Sequence, residues 1–324
     1  MKIAILGAGS WGTALAATVS QNNEVSLWAR RKGLCDEINR TRKNKTYLDG
    51  ITLPSNFFAK NSIKDTVEGS QIIISVIPSE YLRNVMQSLK PFVSNQIIIS
   101  ATKGIEHSSG KRMSQVIEDE LGKRVKVAAL SGPNHAEEVA RKMPTASVIA
   151  CRDKKTALAC SKAISTDSFK VYPLDDIAGV ETCGALKNIT AIATGVCDGF
   201  GFGDNARSSI MTMGLVEMNT FGRAFGAKRG TVYGLAGVGD LIATCVSKHS
   251  RNRYVGEQLA KGKSISQIKT EMKGMVAEGI PTTKAVYEYA KKHNLEMPLA
   301  KQAYEVIYNG KPIKTAIKDL LDLV

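Results

Sequence analysis

The chain has 324 residues, 43% hydrophobic and 23% charged, too many for one ordinary domain and about right for two. Basic residues outnumber acidic ones 44 to 30, a formal net charge of +14, but they are scattered in short groups with 6% aromatics and no nucleic-acid motif. That pattern argues against a nucleic-acid partner and suits small anionic ligands.

In chain order, Ile3–Leu6 reads as a strand running into Gly7-Ala8-Gly9-Ser10-Trp11-Gly12, and Thr13–Val19 continues as a helix. Each glycine has a mechanical role. Gly7 allows the tight turn, Gly9 the close approach of backbone to a pyrophosphate, and Gly12 the packing of helix on strand. The helix N-terminus offers N–H groups and a positive dipole end to that anion. The next strand, Glu24 to Trp28, leads into Ala29-Arg30-Arg31, with no acid where an NAD site holds the ribose diol. Two guanidinium groups there favour the 2′-phosphate of NADP(H), with NAD(H) also possible; alternatively they open a solvated helix.

Further strands are expected at Gln71–Val76, Gln96–Ser100, Val125–Leu130, Ala146–Ala150 and Phe169–Tyr172, with helices such as Tyr81–Leu89 and Met113–Leu121 between them. Runs such as Ile72-Ile73-Ile74 and Ile97-Ile98-Ile99 belong to strands covered on both faces, as in a parallel sheet. From about Asp175 the spacing becomes helical, with glycine-rich connectors at Gly199–Gly203, Gly226–Gly239 and Gly274–Gly279. The expected fold is α/β: an N-terminal Rossmann-type doubly wound sheet over 1–176, then an all-α domain over 177–324.

Four clusters carry chemistry-bearing residues. Lys187-Asn188 shares a helix face with Gly184, either a lysine set for proton exchange or a surface pair. Asp240 follows Gly237-Val238-Gly239 at a helix start, either an orienting acid or an N-cap. Ser250-Arg251-Asn252-Arg253 opens another helix, a phosphate grip or an exposed loop. Val276-Ala277-Glu278-Gly279 places an acid in a glycine-bounded loop. Six cysteines show no C-x-x-C pair, and four histidines lie at irregular spacing, so no metal is suggested. No apolar run reaches the ~20 residues of a membrane span, and the first strand leaves no room for a signal peptide. A cytoplasmic protein without stable membrane insertion is expected.

The run from Thr231 through Gly237-Val238-Gly239-Asp240-Leu241 to Cys245, followed by Ser250-Arg251-Asn252-Arg253, resembles bacterial-type NAD(P)-dependent glycerol-3-phosphate dehydrogenases. So do Gly7–Gly12, Tyr47-Leu48 with Leu53-Pro54, Thr102-Lys103-Gly104, Gly132-Pro133, Lys187-Asn188, Asn205-Ala206-Arg207 and Ala277-Glu278-Gly279-Ile280, in order over nearly the whole chain. The resemblance implies interconversion of dihydroxyacetone phosphate and sn-glycerol 3-phosphate by hydride transfer, supplying glycerophospholipid synthesis, with a homodimer expected. Ser10, Trp11, Arg30 and Arg31 would line the cofactor site, closed by Ala136, Val276 and Glu278. Lys103 would touch cofactor and substrate, beside Gly132 and Asn134. Lys187 is the implied proton acceptor. Asp240, Ser250, Arg251 and Asn252 would complete the substrate site, with Arg251 also near the cofactor.

Two positions depart from the family pattern: Asn134 where serine is usual, and Asp49 where proline is common. Lys103 is expected to lower the pKa of Lys187 by like-charge repulsion and to stabilise the developing oxyanion. The same domain layout also fits other β-hydroxyacid-type dehydrogenases, and the glycine fingerprint also fits a dinucleotide-binding regulator.

Overall fold

The computed structural model describes every residue except Arg124, Lys273, Leu323 and Val324. The described residues divide into two compact units, Met1–Thr102 with Met113–Ile177, and Lys103–Arg112 with Ala178–Val324. The strand-helix alternation of the sequence gives no sign of the excursion at 103–112. The last two residues of the expected helical domain lie outside the described residues.

The first unit holds one eight-stranded sheet: β1 (Lys2–Leu6), β2 (Glu24–Trp28), β3 (Phe57–Lys60), β4 (Ile72–Ser75), β5 (Ile97–Ser100), β6 (Lys126–Ser131), β7 (Thr145–Ala150) and β8 (Phe169–Leu174). Its order is β3-β2-β1-β4-β5-β6-β7-β8. The first six positions are the doubly wound nucleotide-binding order, with the topological switch between β1 and β4. Ligands bind outside the carboxyl ends of the strands at such a switch, which is where β1 delivers Gly7 to Gly12.

The apolar runs behave as two-sided strands. Ile3, Ile5, Ile72, Ile74 and Ile99 enter one buried cluster, while Ala4, Leu6, Ile73 and Ile98 enter another on the opposite face. Two features depart from the sequence expectation. β3 is an additional strand, and its four-residue span with Phe58 exposed is too short for alternation to reveal it. β7 runs antiparallel to β6, although β8 pairs with it in parallel. Only the five-residue helix Ala136–Ala140 lies between β6 and β7, in place of a full crossover helix.

The second unit is helical. The 23-residue helix Ile177–Gly199 contributes Cys183, Leu186 and Ile189 to a core shared with Met218 and Phe221 of Asp204–Ala224 and with Leu241, Cys245, Val286 and Ala300. The connector expected over 226–239 is partly helical: Arg229–Val232 forms a short helix, and Leu235–Gly239 a π-helical turn that hands the chain to Asp240–Val246. Single π-turns are frequent at functional sites because they re-aim the residues that follow. No single helix among the described residues is long and apolar enough to cross a membrane.

One carboxylate in this unit is costly to bury. Glu217 is 5% exposed and accepts N–H bonds from Leu299 and Ala300, the first turn of Pro298–Asn309. Burial pushes its pKa up to about 7, against the lowering effect of those two N–H groups. A raised folded-state value favours the protonated form, so this contribution to stability is present at acid pH and lost as pH rises through about 7. Glu217→Gln should therefore gain about 3 kcal/mol relative to wild type between pH 4.5 and pH 8, read from urea midpoints. An unchanged difference would contradict this reading.

Candidate functional site

The glycine loop is built as the sequence requires. Gly7 has φ +114°, open to glycine at little cost, and a Cβ on Gly12 would lie 1.8 Å from the Gly7 carbonyl oxygen. Around Gly9 a Cβ would meet nothing within 4 Å, so the loop presents open space over the N-terminus of Ser10–Val19. That helix has no acid in its first turn and no side-chain cap, which suits an anion at its dipole end. The Trp11 indole Nε1 is buried without a hydrogen-bond partner among the described residues. These features fit a dinucleotide.

Sequence reasoning missed the residue that fixes this loop. Asn44 is fully buried, and its Nδ2 donates to the Ala8 carbonyl at 3.0 Å and to Thr13 Oγ1 at 2.8 Å. Its Oδ1 accepts from the Tyr47 N–H at 3.2 Å, so one amide locks the loop, the helix and the Tyr47-Leu48 segment together. Nothing in its polar neighbourhood Lys43-Asn44-Lys45 announces a buried role.

At the end of β2 no acid appears. Arg30 and Arg31 are both exposed; the Arg31 Nη2 donates to Tyr47 Oη at 3.2 Å, and its guanidinium lies 5.5 Å from the Tyr47 ring centroid. Ala136 starts the helix Ala136–Ala140, which packs on Ser10–Val19. Gly132 follows β6, and Asn134 Nδ2 donates to Ser147 Oγ at 3.0 Å.

The second unit gathers the titratable residues. Asp240, the first residue of its helix and 2% exposed, receives Lys187 Nζ on Oδ1 at 2.6 Å and Lys103 Nζ on Oδ2 at 2.7 Å. The N-cap position belongs to Gly239, so the alternative reading of Asp240 as a cap is set aside. Lys187 Nζ also donates to Thr244 Oγ1 at 2.7 Å, which in turn donates to Asp240 Oδ1 at 3.2 Å. Thr244 was missed because a threonine one turn along an apolar helix reads as core.

Burial is the largest influence on Lys187 and pulls its pKa down to about 8; the Asp240 charge opposes this and the Lys103 charge assists it. Lys103 thus lowers the Lys187 value as expected, and removal from water does more. For Asp240 burial alone would raise the pKa, but the two ammonium groups outweigh it and hold the carboxyl below the usual carboxylate range.

The third cluster opens a helix, as the sequence suggests, and also makes contacts that the sequence does not announce. Ser250 caps the helix Arg251–Ala260, its Oγ accepting from the Arg253 N–H at 3.2 Å. Asn252 Nδ2 donates to Asn188 Oδ1 at 2.9 Å, and its Oδ1 accepts from the Gly279 N–H at 2.9 Å. Arg251 Nη1 donates to the Val276 carbonyl at 3.1 Å. Arg251 and Asn252 together therefore hold the segment carrying Val276 and Glu278, while Asn188 joins the lysine helix to that network. Among the described residues no group of three or more histidine, cysteine, aspartate or glutamate side chains is placed to hold a metal.

Two family models cover most of the chain. Residues 2–157 match the N-terminus, and 176–318 the C-terminus, of NAD-dependent glycerol-3-phosphate dehydrogenase. The glycerol-3-phosphate dehydrogenase [NAD(P)+] of Chlorobium limicola is 42% identical over 99% of this chain and 97% of its own length. That of Bacillus cytotoxicus is 44% identical over 100% and 96%. The crystal structure of glycerol-3-phosphate dehydrogenase from Coxiella burnetii superimposes with a TM-score of 0.95 at 37% identity, covering 99% of this chain and 98% of that one.

Proposed function

Because the chain belongs to the NAD-dependent glycerol-3-phosphate dehydrogenase family, we propose that Lys187, Asp240 and Lys103 carry the proton chemistry of its reaction. That reaction interconverts dihydroxyacetone phosphate and sn-glycerol 3-phosphate with NAD(P)H, and provides glycerol 3-phosphate for glycerophospholipid synthesis. The observation that carries the proposal is the buried Lys187–Asp240–Lys103 triangle.

The bound nicotinamide supplies hydride to the substrate carbonyl carbon. Lys187, as ammonium, donates a proton to the oxygen that becomes the C2 hydroxyl; in the reverse direction the neutral amine accepts it. Its pKa of about 8 leaves both forms accessible near neutral pH. Two of its three donors are committed to Asp240 and Thr244, which aims the third. Lys103 adds a positive charge that stabilises the developing oxyanion. Asp240 keeps two like charges in one buried place and fixes both amines.

Arg251 and Asn252 would bind the substrate phosphate, with Ser250 acting through the helix it caps. Gly132 and Asn134 would complete the substrate site. Gly7, Gly9, Ser10, Trp11 and Gly12 would hold the pyrophosphate and Arg30 and Arg31 the adenosine ribose, with Ala136, Val276 and Glu278 as further cofactor contacts. The lack of an acid after β2 supports a preference for NADP(H) over NAD(H). The six cysteines are free and buried, in keeping with a reducing cytoplasm. Exposed Ile242 and Val246, one turn apart, suit the face of a homodimer.

Lys187→Ala should lower kcat/KM for dihydroxyacetone phosphate reduction by roughly 10²–10⁴-fold, with NADPH affinity measured by fluorescence unchanged. Turnover at the wild-type rate would refute the assignment. Replacing Arg30 and Arg31 together by alanine should weaken NADPH roughly 10- to 100-fold and NADH far less, measured by the same titration. Equal losses would place recognition of the 2′-phosphate elsewhere.

A further inference from the structure

The lysine that completes the triangle is delivered by a short hairpin, not by a helix. Ile105 pairs antiparallel with Arg112, the Glu106 N–H bonds the Lys111 carbonyl at 2.9 Å, and the Gly110 N–H bonds the Glu106 carbonyl at 2.8 Å. Lys103 stands two residues before Ile105, at the root of this hairpin. Its placement therefore depends on what holds the root.

Two anchors act there. Ile105 is 1% exposed and enters the core that holds Leu186 and Phe221. Arg112 is buried and donates through Nη1 to the carboxylate of Glu181, itself buried. The Arg112 guanidinium also lies 5.8 Å from the centroid of the Phe225 ring, which stacks on Tyr289. At the hairpin tip, His107 meets Glu288 at 2.9 Å, but both side chains are nearly half exposed, and such a pair fixes little.

Glu181 and Lys187 are on the same helix, Ile177–Gly199. Six residues separate them, about 9 Å along the axis. The Arg112–Glu181 pair thus ties the root that bears Lys103 to the rigid element that bears Lys187. A buried ion pair is weak evidence for stability, since well-packed apolar side chains often serve as well. Its directional geometry is what an apolar pair lacks, and catalytic groups tolerate displacements of only about 0.5 Å.

We propose that Arg112, through its buried ion pair with Glu181, is a positioning residue for Lys103. It sets the lysine against Asp240 by clamping the 103–112 hairpin to the helix that carries Lys187. The proposal rests on the reading above that Lys103 serves the reaction.

A double-mutant cycle on the full-length enzyme separates the two. Dihydroxyacetone phosphate reduction is measured for wild type, Arg112→Gln, Lys103→Ala and the combined variant, with NADPH affinity followed in each. Arg112→Gln should lower kcat/KM roughly 10- to 100-fold with Lys103 present and less than about twofold in the Lys103→Ala background. NADPH affinity should not change. Equal fold-losses in both backgrounds would overturn the proposal while leaving the role of Lys103 intact. Full activity of Lys103→Ala would remove the role of Lys103 and the proposal with it. Should Arg112→Gln fail to fold, the Arg112→Gln/Glu181→Gln variant, a buried pair without charge, enters the same cycle with the same two outcomes.

Discussion

A single carboxylate organises the charged cluster of this protein. Asp240 lies out of water with an ammonium group on each oxygen, and its charge is matched by the buried Lys187 and the part-buried Lys103. Leaving one partner of a buried ion pair unmatched costs about 3 to 5 kcal/mol. The π-helical turn that aims Asp240, the helix that carries Lys187 and the hairpin that carries Lys103 must therefore agree in position. What results is an amine whose burial favours the neutral form while its neighbour favours the charged one. The compromise, a pKa of about 8, suits the acid and base role proposed for this amine.

The first unit solves a different problem with backbone instead of charge. Its glycine loop offers space and helix N–H groups to an anion, and the buried Asn44 amide keeps that loop in one shape. The exposed cations are kept at the edge, where Arg30 and Arg31 follow β2. The net charge of +14 fits a protein whose ligands are all phosphorylated, without any need for a nucleic-acid partner.

Much of this was legible in the sequence. Continuous isoleucine runs revealed strands covered on both faces, and the glycine fingerprint marked the turn into the first helix, because both signals are local. β3 was hidden by its four-residue length, and the antiparallel turn at β7 depended on a connection whose short helix has no sequence marker. Lys187 and Asp240 stood out in the sequence itself and Lys103 by resemblance, but their meeting on Asp240 is tertiary: 137 and 53 residues separate the partners. Thr244 and Asn44 looked ordinary because their roles exist only once distant segments pack. Asn252 and Ser250 were expected at the substrate site, and their side chains also hold the 276–279 segment and a helix start. Residue type announced polarity there, and only geometry showed where it is spent.

Burial brings the Lys187 ammonium to a pKa of about 8 inside an ion-paired cluster, and on this the proposed proton chemistry turns. The most direct test is an NMR titration of the Lys187 side chain in protein carrying isotope-labelled lysine, assigned by comparison with a Lys187→Arg variant. One lysine should titrate at about 8, well apart from the exposed lysines near 10.4. A Lys187 resonance that titrates with the exposed lysines would contradict the assignment of proton transfer to this amine.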